Sequence, residues 1–133
     1  MSAAGVMYSA FNTAVSDFLA DISSAFPMNV HLAAFADMHG MGSRANVRMP
    51  FESFAQHVMG KYGDRLRNVR QDDSFFMSHT YGEVNDSSVV DVLKTMWRGM
   101  TAENRECVLD HLTFIIDIYD HVTAANDVTT AKT

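Results

Sequence analysis

Over residues 3–26 the apolar side chains Met7, Phe11, Ala14, Phe18, Ile22 and Ala25 return at steps of three and four. Val15, Leu19 and Phe26 widen that stripe, and Ser9, Ser16, Asp17 and Ser24 lie away from its centre. This is the period of a helix with one apolar side. Pro27 stops it, because proline has no N–H to continue the ladder and disfavours helix at the residue before it. A second helix is predicted over 29–39, with Val30, Ala33, Ala34 and Met38 on its core face and Phe35 beside them. Asn29 is placed to cap its start and Gly40 its end. The run Gly40-Met41-Gly42-Ser43 reads as a flexible loop, since two glycines in four residues tolerate turn geometries.

Pro50 suits a first helical turn, where its missing N–H costs nothing. Phe54, Ala55, Val58, Met59 and Tyr62 then continue a helical pattern, while Gly60 and Gly63 leave open one kinked helix or two over 50–70. Residues 71–74 read as a turn that caps a short helix carrying Phe75, Phe76 and Met77, and 81–84 as extended chain. Asn85, Asp86 and Ser87 supply caps for a helix whose core face is Val89, Val90, Leu93, Met96, Trp97 and Met100. Thr101 opens the last long helix, with Glu103 in its first turn, where negative charge is favoured. Its stripe is Val108, Leu109, Leu112, Ile115, Ile116, Tyr119 and Val122. The expected fold is all-α: an irregular, compact bundle of four to six helices in a single domain over 1–123. A small, polar tail over 124–133 is expected to fray.

Composition changes this picture little. An apolar fraction of 47% in 133 residues suffices for a buried core and argues against disorder. The single cysteine, Cys107, cannot form an internal disulfide, which fits a reducing compartment, and its helical setting predicts an ordinary packed or half-buried thiol. No stretch reaches the roughly 18 apolar residues that span a bilayer. The first helix lacks the basic start of a secretory signal and reads as part of the mature fold.

Charge is uneven. Within 44–70, the six cations Arg44, Arg48, Lys61, Arg65, Arg67 and Arg70 face only Glu52 and Asp64, a net of +4 in a chain whose total is −6. Such asymmetry marks either a face for an anionic partner or a set of internal pairs with the acidic helices. Arg65 lies four residues beyond Lys61, so the two could follow phosphates together, although the overall negative charge opposes nucleic-acid binding.

Candidate chemistry is sparse. Asp117 and His121 share a face of the last helix near Asp110, His111 and Asp120, but neither Glu-x-x-His nor His-Glu-x-x-His occurs. An exposed i,i+4 pair accounts for them. No Gly-x-Ser-x-Gly elbow, phosphate loop or dinucleotide fingerprint is present. The chain is therefore expected to be no enzyme and to use no metal or cofactor. The ten methionines either fill the core or adapt to partners, and Met38, Met41 and Met49, around the expected loop, form the candidate protein-contact site.

Two segments carry a resemblance. Residues 11–27, FNTAVSDFLADISSAFP, contain Phe18, Leu19, Asp21, Ile22, Phe26 and Pro27. Residues 72–119 contain Asp73, Phe75 and Phe76, then Trp97, Thr101, Asn104, Arg105, Leu109 and Leu112. This order resembles a family of small helical proteins of nucleocytoplasmic large DNA viruses, including algal viruses. The chain departs from that pattern at Val108-Leu109-Asp110-His111-Leu112, where the family has a second aromatic, and at the 40–49 stretch, for which the family has no counterpart. The resemblance implies a viral origin and a place in the virion or the host cytoplasm, not secretion, and it transfers no catalytic residue. The expected role is a non-enzymatic one, binding a viral or host protein, with self-association open. The alternative is association with nucleic acid through the 44–70 segment.

Overall fold

The computed structural model describes residues 3–71, 74–77 and 89–131, with side chains from 5 to 126. It is an all-α, compact bundle, with no strand among the described residues. In order come α1 (Ala3–Ala25), α2 (Val30–Ala45), α3 (Met49–Phe54), a π-helical turn (Ala55–Met59), α4 (Gly60–Arg67), α5 (Ser74–Met77), α6 (Val89–Met96), a 3₁₀ turn (Trp97–Gly99) and α7 (Ala102–Ala131).

The two long helices form the frame. α1 and α7 run antiparallel: near one end Asn126 Nδ2 donates to the Tyr8 hydroxyl at 3.3 Å, and near the other His111 Nε2 meets Asp21 at 2.8 Å. The stripe read from α1 is the one it buries, through Phe11, Ala14, Phe18, Leu19 and Ile22. α7 answers with Val108, Leu109, Leu112, Ile115, Ile116 and Val122. Thr101 Oγ1 accepts the Asn104 N–H at 3.1 Å, the capping bond expected of a threonine there. The helix then continues to Ala131, past residue 124, where fraying was expected, and Asn126 holds this part to α1 through its bond to Tyr8.

α2 departs from expectation twice. It does not end at Gly40 but runs through Gly40-Met41-Gly42-Ser43 to Ala45. Each glycine costs about 1 kcal/mol relative to alanine in a helix, yet Gly42 is buried, and a Cβ built there would lie 2.1 Å from Met49 Cε. The terminal methyl of Met49, at the start of α3, rests on this glycine, a tertiary contact that accompanies the continued helix. Secondly, the helix faces the other way. Leu32 and Gly42 are its buried residues, with Phe35 and His39 half-buried, whereas Val30, Ala33, Ala34 and Met38 point outward. Asn29 caps as expected, its side chain accepting from the N–H groups of His31 and Leu32.

Residues 49–67 are one continuous helical run, which answers whether the glycines separate two helices. The irregularity precedes them. The Gly60 N–H bonds to Ala55 O across the π turn, and a Cβ at Gly60 would come within 3.1 Å of that oxygen. Trp97 is fully buried and stacks on Phe76 with centroids 4.3 Å apart. Arg105 secures it, lying over the indole and donating to Trp97 O at 3.0 Å. The expected extended chain at 81–84 and the caps at Asn85, Asp86 and Ser87 lie outside the described residues, as do Asp72 and Asp73.

Candidate functional site

The basic segment does not assemble one open face. Arg70 bonds Glu106 at 2.8 Å, and also Asp110, both on α7. Arg67 bonds Asp120 at 2.7 Å and lies 3.9 Å from Asp64. Lys61 lies 3.9 Å from the largely buried Asp91 and over the Tyr62 ring. Arg65 lies over Phe75, and Arg48 covers Tyr8 while approaching Glu52 at 3.8 Å. The acids hold these cations charged: Arg67 is raised above its ordinary range chiefly by its hydrogen bond to Asp120, and Arg70 by its bonds to Glu106 and Asp110. Arg44, on the last turn of α2, has no ion pair among the described residues.

The apolar side chains expected inside α2 are instead on its surface. Val30 is 73% exposed and Met38 and Met41 are each 60% exposed, with Met28 just before the helix at 91%. Val30, Ala34, Met38 and Met41 recur at three- and four-residue steps, so they form one outward stripe. Met49, 43% exposed, adds to the same side from the start of α3. The three methionines named from the sequence are thus exposed together, though on helices and not on a loop.

Between this stripe and the frame runs an open groove of about 360 Å³. Its floor is Val15 and Leu19 of α1 with Val58, and its walls are Phe35 and Met38 of α2 and Pro50 and Phe54 of α3. His39 and His57 are the imidazoles along it. His39 Nε2 donates to the Asn12 carbonyl at 3.0 Å, and Asn12 Nδ2 donates to Val47 O at 2.9 Å. These bonds hold α2 and the α2–α3 corner to α1, which fixes the width of the groove.

A second constellation joins α1 to α7. His111 packs at a tilt against Phe18, with ring centroids 5.3 Å apart, and its Nε2 donates to Asp21 Oδ2 at 2.8 Å. One turn earlier on α7 is Cys107, and one donor atom from each of Asp21, Cys107 and His111 lies within 4.8 Å of the others. Cys107 is exposed, contrary to the packed or half-buried thiol expected. Partial desolvation of the sulfur raises the thiol above its ordinary value, helped by Asp21 and Asp110, so it stays protonated near neutral pH. Sequence reading grouped His111 with Asp110, Asp120 and His121 along one helix. The structure separates them: Asp110 goes to Arg70, Asp120 to Arg67, and Asp117 and His121 are exposed. Asp21 of α1 replaces them.

Most of the described positions that carried the resemblance serve the core or a helix end. Phe18, Ile22, Phe75, Phe76, Trp97, Leu109 and Leu112 are buried, Thr101 caps α7 and Arg105 covers Trp97. Comparison with family models, with curated proteins and with solved structures gave no match to this chain.

Proposed function

We propose that this chain is a non-enzymatic binding protein that receives an amphipathic helix of another protein along the outer face of α2. On the resemblance of residues 11–27 and 72–119, the setting is a large DNA virus particle or the cytoplasm of its host. The observation that carries the reading is the outward stripe of Val30, Ala34, Met38 and Met41. A helix of a monomeric domain ordinarily turns such a stripe inward, and contiguous exposed apolar surface marks a contact site.

The stripe and groove suit one kind of occupant. Residues 30–41 of a helix extend about 17 Å, or about three turns, at 1.5 Å per residue. That matches a partner helix presenting apolar anchors at i, i+3, i+4 and i+7. Arg44 stands at the far end of the stripe with no ion pair among the described residues, so the fitting partner carries Asp or Glu where it meets that end. Methionine side chains adapt to a partner's contours at small cost. The pairing of Lys61, Arg67 and Arg70 with Asp91, Asp120, Glu106 and Asp110 weighs against the nucleic-acid alternative, because a polyanion would have to displace these acids.

A displayed library of helical peptides, about 18 residues long, panned against the purified chain, supplies the test. Recovered peptides should carry the apolar spacing and an acidic flank, and should shift the ε-methyl resonances of Met38, Met41 and Met49. Met38→Asp with Met41→Asp should weaken them at least 100-fold without moving Tm, since both side chains are exposed. Peptides that ignore this substitution would refute the reading. So would sedimentation showing a dimer that the same substitution dissolves, since the occupant would then be a second copy.

A further inference from the structure

We propose that Asp21, Cys107 and His111 form a divalent transition-metal site, of the zinc class, that clips α1 to α7. The three side chains bring carboxylate, thiol and imidazole donors from two helices to one place, all within 4.8 Å. Cys107 and His111 are four residues apart on α7 and so project from one face in successive turns. Asp21 reaches the same point from α1, already 2.8 Å from His111 Nε2.

The geometry asks for little movement. A tetrahedral zinc ion, with bonds of about 2.0–2.3 Å, spaces its donors roughly 3.3–3.7 Å apart. The Asp21–His111 pair opens slightly and the sulfur moves inward. The element that moves is the free one: the Asp21 side chain is 60% exposed, whereas His111 is 20% exposed and held by Phe18. The cation takes the place of the proton between Nε2 and Asp21. That proton passes to Nδ1, and the Cys107 proton leaves to solvent. A fourth position opens onto the trough lined by Glu103, Glu106, Cys107, Asp110, His111 and Phe114, where water completes the shell. Thiolate and imidazole donors select zinc or cobalt over magnesium and calcium, which take oxygen. This site lies on α1 and α7, apart from the α2 stripe, and does not depend on the binding role proposed above.

Cobalt(II) is the probe, added to the untagged, reduced full chain. The expected result is one equivalent bound, with thiolate-to-cobalt charge-transfer absorption and the d–d bands of a tetrahedral centre, both displaced by zinc and not by magnesium. Cys107→Ser removes an exposed sulfur and leaves the core intact, so it should abolish the charge-transfer band and weaken zinc binding at least 10-fold. Asp21→Asn keeps an oxygen that can accept from His111 but loses the charge, and should also weaken zinc at least 10-fold. Zinc should raise the Tm of the parent chain and leave that of Cys107→Ser nearly unmoved, because only a metal held by the native state stabilises it. Absence of the charge-transfer band, or equal zinc affinity in the parent and both variants, would overturn the proposal and leave His111–Asp21 as a plain hydrogen bond between helices.

Discussion

Replacing Tyr62 by phenylalanine should destabilise the protein by about 2 kcal/mol at neutral pH. The Tyr62 hydroxyl on α4 donates to Asp91 Oδ1 on α6 at 2.7 Å, and Asp91 is 8% exposed. A hydrogen bond to a charged group contributes about 1.5–3 kcal/mol. Lys61, 3.9 Å from the other carboxylate oxygen and largely solvated, stays beside Asp91 but loses its own contact with the Tyr62 hydroxyl. Phenylalanine keeps the edge-on contact with Phe75, whose centroid is 5.0 Å away, so the loss isolates the hydroxyl. For a domain of this size the Tm should fall by about 6–8 °C. The pH dependence adds a second signature. Burial, and then the hydrogen bond to Asp91, raise the Tyr62 phenol above its ordinary value of 10.0. A group whose folded value is raised contributes stability that is fully present below the unfolded value and is lost as pH climbs through the folded one. The gap between parent and Tyr62→Phe, measured by urea unfolding with far-ultraviolet circular dichroism, should be constant from pH 7 to about 10 and shrink above that. A gap below about 0.5 kcal/mol at pH 7, or one that persists unchanged as the phenol ionises, would refute this account of the α4–α6 contact.

The reversed face of α2 gives a contrast within one helix: Leu32→Ala should cost about 2–5 kcal/mol in urea unfolding, and Val30→Ala about 0.5 kcal/mol or less. Equal costs would mean that Val30 is packed after all. Glu106→Gln with Asp110→Asn should release Arg70, raising salt-sensitive retention on a heparin column while leaving Tm nearly unmoved, since the pairs are surface-exposed. Unchanged retention would mean that these acids do not occupy Arg70.

Periodicity and caps were enough to read much of the fold. Phe11, Phe18 and Ile22 return on one face of α1, and Pro27, Asn29, Pro50 and Thr101 mark helix ends by chemistry local to each residue. Where the pattern misleads, the cause is a tertiary partner that spacing within one element does not show. Gly40 and Gly42 look like loop residues until Met49 is placed against Gly42. The apolar pattern of α2 has two usable sides, one built on Val30, Ala34 and Met38 and one on Leu32, Phe35 and His39, and only the packing against α1 chooses between them. The candidate sites show the same limit. His111 and Cys107 were visible as residues, but Asp21 lies 90 positions from His111, and no spacing rule spans that distance. The excess charge of 44–70 is legible, and so is its internal pairing with the acidic helices as one of two readings, whereas the choice of Asp110 and Asp120 beside Glu106 is not.

The widened turn at Ala55–Met59 sets the phase of everything after it. A helix advances about 100° per residue, so one extra residue in that turn decides which way the next two turns point. Rewinding Ala55–Met59 into a regular coil with its length unchanged would swing Gly60–Arg67 as a block by about a quarter of a revolution. Tyr62 would leave Asp91, Leu66 would leave the interior and Arg67 would leave Asp120 in one motion.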